Sequence, residues 1–182
     1  MKRLFLLLTL VLAIHTSWAQ DTPRAKKCVA EVRKQYAAAK ERSEREEKEE
    51  YAPKENMTVN LNYIIPGCGP TAETLHYLFT AKDGEEPGMR TYQPLLITRK
   101  YNIAARQMYE EYLFDGQTGE IIFTLFQHDN YNGGKDETRY YFDRDGKAWE
   151  IVKGERVMDD VFARRQAADL KAAADQLINR DY

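Results

Sequence analysis

The chain is poor in the residues that carry most enzyme chemistry. Among 182 residues there are two cysteines and three histidines, and one of these histidines, His15, stands close to the N-terminus. Hydrolases and transferases commonly need a nucleophile, a base and an orienting group that converge in space. This composition offers few such groups, so it favours a protein that is not an enzyme.

Neither sign of charge dominates the chain. It has 27 basic and 29 acidic residues, for a formal net charge of −2. Proteins that bind nucleic acids usually carry a clustered basic surface and a high pI. We therefore expect no nucleic-acid partner.

The apolar run near the N-terminus is too short to cross a bilayer. Lys2 and Arg3 precede a run from Leu4 to Ile14 that is apolar except for Thr9, and the small residues Ser17 and Ala19 follow. A membrane-spanning helix needs about 20 apolar residues. The pattern predicts a signal peptide over residues 1–19 that is cleaved, so that the mature protein is periplasmic or secreted and has no membrane segment.

The two cysteines, Cys28 and Cys68, are predicted to form a disulfide. Export favours pairing, because thiols oxidise outside the cytoplasm. Such a bridge closes a loop of 40 residues, which corresponds to about 4 kcal/mol of stabilisation in the chain-entropy model. The alternatives are two free buried thiols, or a reactive Cys68 partnered by His76.

Residues 20–52 are predicted to contain an N-terminal helix. The segment is rich in Ala, Glu, Lys and Arg, and Thr22 is suited to cap it. Apolar residues recur at helical spacing in its first half, at Ala25, Cys28, Val32, Tyr36 and Ala39. The stretch from Glu41 to Glu50 has no apolar residue, so we expect it to lie in solvent and to fray. One alternative function is assembly with another chain through this charged stretch.

Residues 56–153 are predicted to form an antiparallel sheet of about seven strands. Residues Met57 to Ile65 alternate between apolar and polar side chains, which is typical of a strand with one wet face. Later strands are predicted at Leu75 to Phe79, Leu95 to Ile103, Gln107 to Phe114, Glu120 to Gln127, Thr138 to Phe142 and Lys147 to Val152. Short Gly- and Asp-rich turns connect them, which indicates a meander.

A C-terminal helix is predicted over residues 155–180. Asp159 and Asp160 suit its first turn. Its apolar stripe consists of Ala163, Ala167, Leu170, Ala174, Leu177 and Ile178. Together these elements predict one α+β domain over residues 20–182, in which a helix packs on a face of the sheet.

Three arrangements of side chains bear on whether the chain has a catalytic or a metal-binding site. His128, Asp129 and Glu137 could meet at neighbouring strand ends and form the site of a small exported hydrolase-like enzyme. Glu110 and Glu111 are adjacent on a strand, so they point to opposite faces and cannot share a substrate. The acidic loop after Asp129 lacks the ligand spacing of a calcium site, and the sequence predicts neither a metal nor a cofactor.

Aromatic residues suggest a binding surface. Large side chains occupy both faces of the central strands, so the second face is either covered by a helix or offered to a partner. If it is open, Tyr109, Phe126, Tyr141 and Trp149 are the candidates for a platform that binds a protein or a glycan. The sequence thus favours an exported, non-enzymatic recognition domain whose ligand it does not identify.

Overall fold

The computed structural model of the protein describes residues 22–48, 55–83 and 90–179. The predicted signal peptide and the end of the charged stretch, Glu49 and Glu50, lie outside these ranges. In chain order the elements are α1 (Pro23–Lys48), β1 (Asn56–Ile65), β2 (Gly69–Asp83), β3 (Arg90–Ile103), β4 (Arg106–Phe114), β5 (Ile121–Asp129), β6 (Lys135–Phe142), β7 (Ala148–Lys153) and α2 (Asp160–Ile178).

The strands form one antiparallel sheet in which spatial order follows chain order. All seven strands pair only with their sequence neighbours, and each neighbouring pair is antiparallel. The predicted α+β meander with an N-terminal and a C-terminal helix is confirmed. Two strands are longer than the alternation predicted, because β2 begins at Gly69 and β3 begins at Arg90.

The two helices cover opposite faces of the sheet. Alternation along each strand sends neighbouring side chains to different sides, and each side has its own buried cluster. On the α2 face the cluster includes Tyr77, Ile97, Tyr112, Phe126, Tyr140 and the α2 alanines. On the α1 face it includes Val32, Leu78, Leu113, Phe123 and Tyr141. Both faces carry large apolar groups because both are covered.

Helix α1 begins with the predicted cap and buries the predicted stripe. Thr22 Oγ1 accepts a hydrogen bond from Ala25 N at 3.1 Å. Ala25, Val32 and Ala39 are each less than 5% exposed. The sequence pattern therefore gave the correct packing face for the first half of this helix.

The second half of α1 packs against the sheet, so the expectation that the stretch from Glu41 onward lies in solvent is wrong for its described part. Ser43 and Glu46 are buried, with exposed fractions of 8% and 3%. Glu46 Oε2 accepts hydrogen bonds from Asn56 Nδ2 at 2.9 Å and from Glu55 N at 3.0 Å. Polar helix residues pack here because the neighbouring strand face is itself polar, which an analysis of apolar spacing does not detect.

The predicted disulfide is wrong. Cys28 and Cys68 are both free, and Cys28 Sγ lies 3.6 Å from the carbonyl oxygen of Phe142 on β6. Cys68 lies in the turn between β1 and β2. Five strand spacings of roughly 4.8 Å each separate β1 from β6, so the thiols lie far apart on the sheet.

The two ends of the sheet differ in how the helices cover them. We call the end with the β4–β5 and β6–β7 turns the upper end, and the end with the β1–β2, β3–β4 and β5–β6 turns the lower end. Arg24 of α1 forms an ion pair with Asp143 in the β6–β7 turn. Lys171 of α2 donates to the carbonyl oxygen of Gly119 in the β4–β5 turn at 2.8 Å. Both helices are thus anchored at the upper end.

Candidate functional site

A depression lies at the lower end of the α1 face, where α1 does not reach. Its volume is about 220 Å³, and it is lined by Lys100, Gln107, Met108, Tyr109, Gln127, His128, Asp129 and Lys135. The strand register places Lys100, Tyr109 and Gln127 side by side across three strands. We call the α1-face members of this lining, Lys100, Gln107, Tyr109, Gln127, Asp129 and Lys135, the polar corner.

Tyr109 is the fixed aromatic group of the polar corner. Its hydroxyl donates to Glu111 Oε1, and the ammonium of Lys100 lies 5.9 Å from the centre of its ring. Burial, the charge of Glu111 and this hydrogen bond together raise the pKa of Tyr109 well above its ordinary value. The hydroxyl therefore stays protonated, and the ring has a defined position at the edge of the depression.

Glu111 is the anchor beneath this ring. It is 1% exposed and also accepts hydrogen bonds from Tyr36 Oη at 2.5 Å and Lys40 Nζ at 3.1 Å. Tyr36 and Lys40 lie on α1, so the carboxylate joins the helix to the sheet.

In the floor of the polar corner, the side-chain amide of Gln127 is hydrogen bonded to a carboxylate. Gln127 Nε2 donates to Glu137 Oε2, and Arg139 Nε lies 2.7 Å from Glu137 Oε1. An amide also has an acceptor oxygen, so Gln127 is able to accept a hydrogen bond as well as to donate one. The groups that face the depression are long side chains with ammonium, amide and hydroxyl functions, which suit hydrogen bonding to a polar ligand.

The structure does not bring His128, Asp129 and Glu137 together on one face. His128 is paired with Asp136 in the β5–β6 register, whereas Glu137 is paired with Gln127. The Nδ1 atom of His128 lies 3.1 Å from the carbonyl oxygen of Asp129 and 4.0 Å from Asp136 Oδ2. The histidine and Glu137 therefore point to opposite sides, which does not give the convergence that acid–base catalysis needs.

Three of the four predicted binding aromatics are buried. Phe126, Tyr141 and Trp149 have exposed fractions of 1%, 2% and 3%, and Phe126 lies on the α2 face. An exposed platform made of all four is therefore not formed, because the helices cover both faces. Tyr109 is the member that lies at an open surface, and the binding role of this set stays a prediction.

A buried charged cluster that the sequence patterns did not predict lies on the α2 face. Arg99 donates from Nε to Glu73 Oε1 at 2.7 Å and from Nη1 to Glu110 Oε2 at 3.4 Å. Three tyrosine hydroxyls complete it: Tyr63 donates to Glu73, and Tyr101 and Tyr112 donate to Glu110. The sequence contained a signal for this cluster. In strands whose side chains alternate between apolar and polar, Glu73, Arg99 and Glu110 occupy positions where an apolar residue is expected.

Burial and hydrogen bonding act in opposite directions on Glu73. Burial raises the pKa of this carboxyl group, but hydrogen bonds from Arg99 and Tyr63 outweigh it, so that the pKa lies below its usual value. The carboxylate is therefore ionised at neutral pH and balances the charge of Arg99. The members of this cluster hydrogen bond to one another.

The acidic loop between β5 and β6 is held by its own hydrogen bonds. Asn130 Oδ1 accepts from Gly134 N at 2.9 Å and from Asn132 N at 3.1 Å, and Asn130 Nδ2 donates to Asp136. Within residues 22–48, 55–83 and 90–179, no group of three His, Cys, Asp or Glu side chains is arranged to hold a metal ion. Neither helix of this part of the chain is long and apolar enough to span a membrane.

Comparisons of the chain with models of protein families, with curated proteins and with solved structures find no match.

Proposed function

We propose that this protein is an exported recognition domain that binds a saccharide in the polar corner. The observation that supports this most directly is the depression of about 220 Å³ on the α1 face, whose lining comes from β3 to β6. Pockets for drug-sized ligands usually occupy roughly 300–1,000 Å³. A volume just below that range suits one or two sugar residues better than a larger ligand.

The chemistry of the polar corner favours a sugar with an acidic group. Lys100 and Lys135 supply two ammonium groups, against the one carboxylate of Asp129 in the lining. Gln107 and Gln127 supply amides, and Tyr109 supplies a ring of fixed position. Sugars present hydroxyl groups that pair with amides and a C–H face that packs on aromatic rings. A carboxylate on the sugar would complement the lysines, so a uronic acid is the ligand class that we favour.

A protein partner is less well supported by this surface. Stable protein interfaces bury about 800 Å² on each partner and centre on large apolar side chains. The polar corner is concave and offers one aromatic ring among charged and amide groups. The hydrolase-like alternative is also less well supported, because His128 and Glu137 lie on opposite faces.

Binding of neutral and acidic oligosaccharides by calorimetry tests the proposal. We expect an acidic oligosaccharide to bind, and we expect Lys100→Ala and Gln127→Ala to weaken binding at least tenfold, which corresponds to about 1.4 kcal/mol. Lys34→Ala, which removes an exposed lysine of α1, is the matched control and should leave binding unchanged. Equal binding by all variants, or binding by none of them including the wild type, would contradict the proposed site.

Export is tested separately on protein from its native source. N-terminal sequencing of the mature chain should begin directly after Ala19, and the protein should be recovered from the periplasmic or secreted fraction. Cytoplasmic material that still begins at Met1 would contradict export without bearing on the ligand.

A further inference from the structure

Strand β1 is an edge strand that lacks the usual protection against pairing. Edge strands in soluble proteins are commonly short or interrupted by charges, proline or bulges. β1 is ten residues long and has no charged residue and no proline, and its register with β2 is regular. The other edge strand, β7, is six residues long and contains Glu150 and Lys153.

The outer side of β1 is accessible. No other strand of the described ranges pairs with it. Leu61, Tyr63 and Ile64 are exposed at 43%, 37% and 77%, which is unusual for three large apolar residues within four positions. The backbone and these side chains together form a surface of about ten residues that one more strand could cover.

The backbone hydrogen bonds of β1 determine which residues face outward. Phe79 N donates to the carbonyl oxygen of Glu55 at 2.7 Å, and Glu55 directly precedes β1 in the same register. Because bonding direction alternates along an antiparallel strand, the odd-numbered residues bond to β2. Thr58, Asn60, Asn62 and Ile64 therefore present their N–H and C=O groups to the outside.

A second β1 matches this pattern in both backbone and side chains. A two-fold axis perpendicular to the sheet keeps each face on its own side, and hydrogen bonding requires even-numbered residues to lie opposite even-numbered ones. Odd-numbered residues then also lie opposite one another. The odd set is apolar apart from the hydroxyl of Tyr63, and the even set is rich in amides and hydroxyls. The odd set is Met57, Val59, Leu61, Tyr63 and Ile65, and the even set is Asn56, Thr58, Asn60, Asn62 and Ile64.

We propose that two copies of this chain associate by antiparallel pairing of β1 with β1, which joins the two sheets into one. The partner is a second copy because the strand is complementary to itself in hydrogen bonding, polarity and absence of charge. The pairing leaves the polar corner of each copy free, since that site lies on β3 to β6. Cys68 follows β1, so the two Cys68 thiols lie at opposite ends of the paired strands and do not link the copies.

Light scattering on the purified protein under reducing conditions tests this dimer. We expect the wild type and Asn62→Ala to have twice the mass of one chain, and Asn62→Pro to have the mass of one chain. Proline at this position removes an outward N–H group without removing a hydrogen bond to β2. Asn62→Ala is the matched control, because it also removes the side-chain amide of Asn62 but keeps the backbone N–H group.

A charge variant keeps the test valid if the proline unfolds the strand. Asn62→Lys adds a positive charge to each of the two paired edge strands and should halve the measured mass, while far-UV circular dichroism stays unchanged. Val152→Lys makes a comparable change on the opposite edge strand and should remain dimeric. A wild type that is monomeric up to its solubility limit, or an Asn62→Lys variant that stays dimeric, would overturn the proposal.

Discussion

Glu110 and Glu111 are neighbours in the chain, yet they lie on opposite faces of β4 in two clusters of similar chemistry. Each carboxylate is at most 2% exposed, accepts from two tyrosine hydroxyls and lies beside a cation. On the α2 face all partners of Glu110 belong to strands. On the α1 face Tyr36 and Lys40 belong to a helix. Similar groups therefore join strands to each other in one cluster and attach a helix in the other.

The two clusters also differ in their charge balance. Arg99 stands between two carboxylates and its side chain is 16% exposed, whereas Lys40 serves one carboxylate and its side chain is 35% exposed. Loss of a buried cation is costly when a charge is left without a partner. The comparison therefore predicts unequal costs for removing these two cations.

The largest effect is expected for Arg99→Met. The substitution leaves Glu73 and Glu110 buried without a counter-charge, and breaking a buried ion pair costs about 3–5 kcal/mol. Denaturant unfolding of the variant measures this loss in the free energy of unfolding. The double variant Arg99→Met with Glu73→Gln should recover part of it, and a loss below about 1 kcal/mol for Arg99→Met would contradict a buried charge cluster.

A smaller effect is expected for Lys40→Met. Tyr36 and Tyr109 still donate to Glu111, so we expect a loss of about 1.5–2 kcal/mol, comparable to one hydrogen bond to a charged group. The substitution should also loosen α1, which carries the partly buried Cys28, a thiol whose pKa is raised by burial.

Alkylation rates measure this loosening directly. Cys28 should react faster in Lys40→Met than in the wild type, and the exposed Cys68 provides an internal control for reagent and pH. If the ratio of the two rates does not change, Lys40 does not hold the helix on the sheet.

The smallest effect is a difference in pH dependence between wild type and Glu73→Gln. The pKa of Glu73 is lowered in the folded protein from 4.5, so the unfolded chain binds this proton first as the pH falls. The stabilisation is present above about pH 4.5 and is lost as the pH falls through the lower folded pKa. Unfolding measured between pH 6 and pH 3 should show a shallower decline for Glu73→Gln, and parallel curves would contradict this assignment.

Local patterns in the sequence were sufficient for the elements and their order. The alternation from Met57 to Ile65 and the turn at Asp145 and Gly146 each depend on residues that are close in the chain. Short turns between successive strands leave few ways to arrange them, so the meander followed from the same signals.

The placement of the helices could not be derived in this way. The direction in which α1 crosses the sheet depends on polar contacts between distant residues, such as Arg24 with Asp143 and Glu46 with Asn56. That direction places Cys28 over β6 and leaves the polar corner open. For this same reason the disulfide was predicted wrongly, and the sequence left open whether a helix covers Phe126, Tyr141 and Trp149.

Trp149 lies where the first turn of α1 meets β7, and this gives the protein a built-in optical probe. The guanidinium of Arg24 lies 5.9 Å from the centre of its ring, and the indole is 3% exposed. The chain has two tryptophans, and the other, Trp18, falls within the predicted leader. In a chain trimmed after Ala19, tryptophan emission comes from Trp149 alone. Separation of the start of α1 from the sheet would therefore expose the indole and shift its emission to longer wavelength, without any attached dye.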